Sequence, residues 1–172
     1  PQIDRDYRTL TGPGHTAVMG SSLGGVVSLY LGWQYPEIFG MAAAMSSTFG
    51  WRDDLAERIA GERRRPIRIY LDSGWPRDNY EVNRRMRHQL VRRGFREGRD
   101  LLYLAFPEAQ HNESAWSMRA HLPFQWFFGE RPGATLVLRH GRRIYGAGAA
   151  GARSPRKRTG GQLRTVARNC PP

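Results

Sequence analysis

Residues 17–25, AVMGSSLGG, decide the fold, because two adjacent serines stand between a short apolar run and a longer one, VVSLYLGWQY. The pattern G-x-S-x-G builds a sharp strand-to-helix turn that exposes its central serine. Only Ser22 fits this pattern, with Gly20 two residues before and Gly24 two residues after, whereas Ser21 has no glycine at either distance. The alternative is a glycine-rich turn that only connects two elements. The apolar segments on both sides favour Ser22 as a nucleophile.

The segments around this turn alternate between strand and helix patterns. Apolar runs predict strands at 16–21, 41–47 and 66–74, and a fourth strand followed by a loop within 100–111. Helices are predicted at 23–35 (buried all round), at 79–93 (amphipathic) and at 114–128 (aromatic), with an exposed helix or loop at 51–65. Strands alternating with helices indicate an α/β fold, in which about four parallel strands have helices on both faces.

The composition divides the chain of 172 residues into two parts. Ten of the 27 basic residues and none of the 15 acidic ones lie in residues 131–172, so the first 130 residues hold 17 basic and 15 acidic groups. The last 42 residues are rich in Gly, Ala and Arg and lack a sustained apolar period. We therefore predict one partial domain at 1–130 and a disordered basic tail at 131–172.

Several function classes are not expected from these residues. No apolar run approaches the roughly 20 residues that span a bilayer. The chain has no H-E-x-x-H motif, no phosphate-binding G-x-x-x-x-G-K-[ST] loop and one cysteine, Cys170, so we expect no metal and no cofactor. An Arg-rich tail could bind nucleic acid through counterion release. No groove-reading module accompanies the tail, and GC-rich coding gives a similar composition, so nucleic-acid binding is not expected.

A serine nucleophile needs a base and an acid, which follow it in chain order in α/β-hydrolases. His111 is the candidate base, because it lies in the loop after the fourth predicted strand. Asp72, among the residues that close the third predicted strand, and Asp78, just after it, are both candidate acids. Asp72 could simply end that strand, and Asp78 could cap the helix at 79–93, with Glu81 completing a capping box.

Three separate stretches resemble one family. The stretches HTAVMGSSLGGVVSLYLGWQYPEIFG, YLDSGWPRDNYEV and DLLYLAFPEAQHNESAW look like the putative esterase family of α/β-hydrolases, which includes enterochelin esterase-like enzymes, S-formylglutathione hydrolase and the antigen 85 group. The resemblance covers about residues 2–129. It implies a small-molecule ester substrate, Ser22 as nucleophile, Asp78 rather than Asp72 as acid, and His111 as base. The backbone N–H of Leu23 is expected to donate to the oxyanion.

The chain departs from this family before the elbow. The second oxyanion donor of the fold comes from a loop after an earlier strand, but only about fifteen residues precede the predicted strand at 16–21. The chain lacks an initiator Met, so we expect a piece of a longer protein, corresponding to the C-terminal part of an α/β-hydrolase. The strand at 16–21 would then have an unpaired apolar edge through which the chain could self-associate.

Two alternatives to an ester hydrolase stay open. An acyltransferase would use the same three residues with an alcohol in place of water, and a truncated fragment could be inactive and serve as an interaction module. A cytoplasmic location is expected.

Overall fold

The structure is a computed structural model that describes residues 2–129 and the backbone of residues 145–146. In chain order its elements are α1 (Gln2–Asp6), a 3-10 turn (Pro13–His15), β1 (Ala17–Ser21), α2 (Leu23–Gln34), β2 (Met41–Met45), α3 (Leu55–Gly61), β3 (Arg68–Trp75), α4 (Tyr80–Arg92), β4 (Leu101–Pro107), α5 (Glu113–Ser117), α6 (His121–Phe128) and β5 (Tyr145–Gly146).

The strands form one sheet in the order β1-β2-β3-β4-β5. The first four strands are parallel, and each pairs with the next one along the chain. The α/β fold with four parallel strands is therefore confirmed. Because parallel strands share a direction, the loops that follow β1, β2, β3 and β4 all leave the same edge of the sheet.

The two-residue strand β5 adds an antiparallel partner to β4, with Tyr145 opposite Ala105 and Gly146 opposite Leu104. It falls within the tail that was predicted from residue 131 onward. The remaining residues of 131–172 lie outside the described residues, so the predicted domain boundary and the disorder of the tail stay predictions.

The core lies on both faces of the sheet. On one face, Leu29 and Trp33 of α2, Ile59 of α3 and Leu90 of α4 pack against alternate residues of the strands. On the other face, α6 contributes an apolar cluster of Leu122, Trp126 and Phe127. The strand β2, which lies between β1 and β3, is buried at every position. Its three alanines, residues 42–44, allow helices to approach from both sides.

Three of the predicted helices differ from the structure. The segment at 51–65, expected to be an exposed helix or loop, is helical only within α3, whose Leu55 and Ile59 are buried in the core. Helix α2 is not buried all round, because Leu23, Val27 and Tyr30 are exposed while Leu29 and Trp33 face the sheet. No other described element covers this outer face. The helix expected at 114–128 is interrupted between α5 and α6. Pro123 has no N–H for the preceding turn, so it is accommodated in the first turn of a new helix.

Candidate active site

Ser22 stands between β1 and α2 in a backbone conformation that few non-glycine residues adopt. Its φ of 57° and ψ of −122° turn the chain sharply from the strand into the helix. The turn also depends on Gly20, where a Cβ would lie 2.4 Å from the carbonyl oxygen of Gly24. The sharp turn predicted from G-x-S-x-G is therefore present, and it places Ser22 at the carboxyl edge of the sheet.

Positive φ angles recur at the carboxyl ends of all four parallel strands. Ser22 follows β1, Ser46 follows β2, Asn79 comes soon after β3, and Glu108 follows β4. Such conformations cost about 1–3 kcal/mol each and cluster at functional sites. The repetition at one edge of the sheet marks this edge as the candidate site.

Ser22, His111 and Asp78 form a hydrogen-bonded line at this edge. The Ser22 Oγ lies 2.9 Å from Nε2 of His111, and Nδ1 of His111 lies 2.7 Å from Oδ1 of Asp78. The Asp78 side chain is fully buried, while that of His111 is one-third exposed. The structure thus brings together the three side chains singled out in the sequence, although 89 residues separate the serine from the histidine.

The hydrogen bonds to Asp78 show that it does not cap a helix. Its Oδ1 faces His111, and its Oδ2 accepts hydrogen bonds from the backbone N–H of Gly74 at 2.8 Å, from the hydroxyl of Ser46 and from Arg119 at 3.0 Å. The N-cap position of α4 is occupied by Asn79, with no side-chain cap. The capping box considered for this helix is therefore wrong, because the Asp78 carboxylate is already fully bonded within the site.

Asp72, the other candidate acid, belongs to a buried cluster behind this line. It is fully buried within β3 and accepts hydrogen bonds from Nε of Arg119 at 3.2 Å and from the hydroxyl of Tyr70 at 2.9 Å. Burial raises the pKa of Asp72 to about 6, although Arg119 and the Tyr70 hydroxyl act in the opposite direction. Burial, followed by the neighbouring Asp72 charge, raises the pKa of Tyr70 well above its usual value.

The side chains of Asp78 and Trp116 fix the orientation of the His111 imidazole. The Asp78 carboxylate can only accept, so the proton of neutral His111 lies on Nδ1 and leaves Nε2 as an acceptor for the Ser22 hydroxyl. The Asn79 amide, 3.4 Å from Nδ1, donates instead to the carbonyl of Ser46 at 2.9 Å. The ring of Trp116 meets the His111 ring edge to face, with centroids 4.9 Å apart.

The loops that carry the acid and the base pass close to each other at Gly74. A Cβ at this position would lie 2.1 Å from the carbonyl oxygen of Ala109 and 2.7 Å from Cβ of Asp78. Only a residue without a side chain allows this approach.

Leu23, the predicted oxyanion donor, is the first residue of α2. The first N–H groups of a helix have no acceptor within the helix, so its N–H is available beside Ser22. No strand precedes β1 among residues 2–129, so this part of the chain has no loop of the kind that carries the second donor in the α/β-hydrolase fold.

The described residues contain no group of three or more His, Cys, Asp or Glu side chains placed to hold a metal ion. Within the same residues, no helix is both long enough and apolar enough to cross a membrane.

Ser46 and Arg119 are the site residues that the sequence did not reveal. Ser46 is one of several serines near a strand end and carries no distinguishing motif. Arg119 has a usable signal, because it is the only Arg or Lys in the apolar segment 114–128, and a cation in such a segment needs a buried partner.

The sequence and the fold were compared with known proteins. Residues 1–123 match the family described as "Putative esterase". An uncharacterized protein, YbbA, of Bacillus subtilis is 26% identical over 142 residues, which cover 76% of this chain and 56% of the relative. The chain therefore spans little more than half the length of that relative.

Two solved structures share the fold. The enterochelin esterase of Shigella flexneri superposes with a TM-score of 0.61 at 23% identity, covering 73% of this chain and 34% of that one. A CE1 ferulic acid esterase from Anaeromyces mucronatus superposes with a TM-score of 0.58 at 23% identity, covering 77% and 50% of the two chains. With the family match over residues 1–123, these findings show that the chain belongs to the putative esterase family of α/β-hydrolases.

Proposed function

We propose that this chain carries the catalytic triad of a serine hydrolase that cleaves carboxylic esters. The observation that carries the proposal is the unbroken line from Ser22 Oγ through the His111 ring to Asp78 Oδ1, with distances of 2.9 and 2.7 Å. Both distances are within the hydrogen-bonding range expected for a nucleophile, its base and an orienting acid. Membership of the esterase family supports the same chemistry.

The proposed reaction begins when Nε2 of His111 accepts the proton of the Ser22 hydroxyl and the oxygen attacks the ester carbonyl carbon. The carbonyl oxygen becomes an oxyanion, to which the N–H of Leu23 donates. His111 then gives its proton to the alcohol oxygen as the carbon–oxygen bond breaks, which leaves an acyl group on Ser22. Water attacks this acyl-enzyme with His111 again as base, and the carboxylic acid leaves.

Asp78 has a separate part in both steps. Its Oδ1 accepts the hydrogen bond from Nδ1 of His111, which keeps the ring in the required tautomer and stabilises the imidazolium that forms. Because Asp78 is fully buried and His111 is only one-third exposed, solvent screens this interaction less than it would an exposed pair.

The substrate we propose is a small-molecule ester. We also propose that two copies associate through the exposed edge of β1. The cytoplasmic location stays a prediction.

Labelling with a fluorophosphonate, which reacts with activated serine hydroxyls, tests the triad without needing a substrate. We expect the wild-type chain to be labelled at Ser22, as mapped by mass spectrometry, and the Ser22→Ala variant to remain unlabelled. Ser21→Ala is the matched control, because it removes the adjacent hydroxyl and should leave labelling intact. An unlabelled wild-type chain, or labelling that persists in Ser22→Ala, contradicts the proposal and favours a non-catalytic module.

A further inference from the structure

A single buried cation joins the three loops behind the Ser22–His111–Asp78 line. Arg119 is 3% exposed and lies between Asp72 and Asp78, both fully buried. Its Nε donates to Asp72, while its Nη2 donates to Asp78 Oδ2 and to the hydroxyl of Ser46. A third donor, Nη1, reaches the carbonyl of Ala115 at 3.3 Å.

The geometry points to Arg119 as the positioning residue of this site: we propose that its guanidinium holds Asp78 so that Oδ1 faces His111, with Asp72 as the counterion that holds the guanidinium. The inference rests on the proposed function for its catalytic consequence. It assigns the two carboxylates different partners, since Asp78 contacts the imidazole and Asp72 does not.

The planar fork of Arg suits this position. One nitrogen faces the Asp72 carboxylate and another faces the Asp78 carboxylate, which a single ammonium group cannot do in the same geometry. The guanidinium carbon also lies 5.2 Å from the centre of the Phe106 ring, which packs against one face of the fork. Lys would keep the charge and lose the bridge.

The interruption between α5 and α6 allows this arrangement. Arg119 lies in the short connection between the two helices, and from there its guanidinium reaches Ser46, just after β2, and Asp72, inside β3. The cation thus connects Ser46 after β2, Asp78 after β3 and the segment after β4. The position of Asp78 relative to His111 therefore depends on the segments that follow β2, β3 and β4.

The net charge of the cluster fits this role. When Asp72 is ionised, two buried carboxylates and one guanidinium leave one negative charge next to His111, and the imidazolium formed during catalysis would neutralise it. Removing Arg119 would leave two buried carboxylates without a cation, and a buried unpaired charge shifts its protonation or moves toward solvent.

The first test measures the rate of fluorophosphonate labelling of Ser22 in the full chain. Because a displacement of about 1 Å in a catalytic group can reduce the rate on the order of a hundredfold, we expect Arg119→Lys to slow labelling by that factor. Arg119→Ala should be slowed at least as much and should be rescued in part by millimolar guanidinium but not by methylammonium. Loss of thermal stability with an unchanged labelling rate of the folded protein overturns the proposal, as does a loss of rate that guanidinium does not restore.

A second measurement keeps the inference separate from the proposed function. The proton on His111 Nδ1, bonded to Asp78, should give a slowly exchanging NMR resonance in the wild-type chain, assigned by its loss in His111→Gln. We expect Arg119→Lys to weaken or abolish this resonance while the backbone amide spectrum stays that of a folded protein. A wild-type chain that is not labelled but shows this dependence refutes the hydrolase function and retains the positioning role. A resonance unchanged in a folded Arg119→Lys variant overturns the positioning role itself.

Discussion

Asp72 and Asp78 show how two carboxylates near the end of one strand receive different tasks. The sequence places Asp72 at the end of the third predicted strand and Asp78 just after it, and cannot choose between them without the family resemblance. The structure distinguishes them by position: Asp72 lies inside β3, beside Tyr70 and Arg119, whereas Asp78 lies beyond the strand and reaches the histidine. The chain continues for six positions from Asp72, passing Gly74, before Asp78 brings a carboxylate to the imidazole. The sequence pattern alone does not predict the path of this segment.

Asp72 should make stability depend on pH in an unusual direction. Its pKa is about 6 in the folded chain against an ordinary value of 3.8, so the folded state keeps a proton that the unfolded state has lost. Asp72 therefore favours folding most below pH 4, and this contribution is lost as the pH rises to about 6. The shift corresponds to roughly 3 kcal/mol.

The comparison of wild type with Asp72→Asn isolates this effect. The free energy of unfolding, measured with urea between pH 4 and pH 7, should change in favour of the variant as the pH rises, because Asn cannot ionise. The two proteins share all other titratable groups of the cluster, Tyr70, Arg119 and Asp78, so the pH-dependent difference between their curves reports the Asp72 titration. A constant offset between the two curves is not informative. Curves that stay parallel over the whole range would refute the raised pKa.

The helices and strands were largely predictable because their patterns are local. The four strands, α2 and α4 follow apolar periods and turn residues that can be read directly from the chain. The interruption of the last helix was not predicted, because aromatic residues on both sides of Pro123 suggest one continuous apolar surface. The role of Arg119 was not predicted either, because Arg119 enters the site only when the helix is interrupted between α5 and α6.

The β1 edge is the element most exposed to unwanted pairing. β1 pairs only with β2 among the described strands, and Met19 is 40% exposed on it. Leu23 and Val27 of α2, the helix that follows β1, are also exposed. An open apolar edge of this kind is a template for pairing with another chain.

A charge on the edge should suppress association of the chain with itself. We expect the wild-type chain to sediment as a dimer or larger species at micromolar concentration and Met19→Lys to shift it toward the monomer, because Lys on an edge strand disfavours pairing. Val91→Lys, which changes a similarly exposed apolar residue on α4, is the matched control. A monomeric wild type, or an equal effect of both variants, would show that β1 is not the interface.

At the scale of the whole molecule, the three proposed triad residues favour activity, whereas the share of the related structures that the chain covers favours weak activity. Ser22, Asp78 and His111, the residues of the proposed triad, all lie within residues 2–129, but the chain covers only 34% of one esterase structure and 50% of another. The sequence suggested this discrepancy, because the elbow comes so early in the chain. It could not show what would complete the site, since the second oxyanion donor depends on backbone from elsewhere in the fold.

Turnover by this chain should accordingly be weak. Loss of one oxyanion donor costs about 2.7–4 kcal/mol in the barrier, on the order of a hundred- to a thousandfold in rate. Hydrolysis of p-nitrophenyl acetate should therefore exceed that of the Ser22→Ala variant only slightly, even if Ser22 is labelled by a fluorophosphonate. Robust turnover that depends on Ser22 would mean that a second donor is present or is not needed.

Gly74 limits the distance between the two loops that carry Asp78 and His111. The Gly74 hydrogen, which stands where every other residue carries a Cβ, sets how closely the turn with Asp78 and the loop with His111 can approach. Alanine at position 74 would push the two loops apart. The imidazole of His111 would then be displaced relative to Ser22. The spacing of Asp78 and His111, on which the proposed proton transfer depends, is thus limited by a residue that takes no part in the transfer.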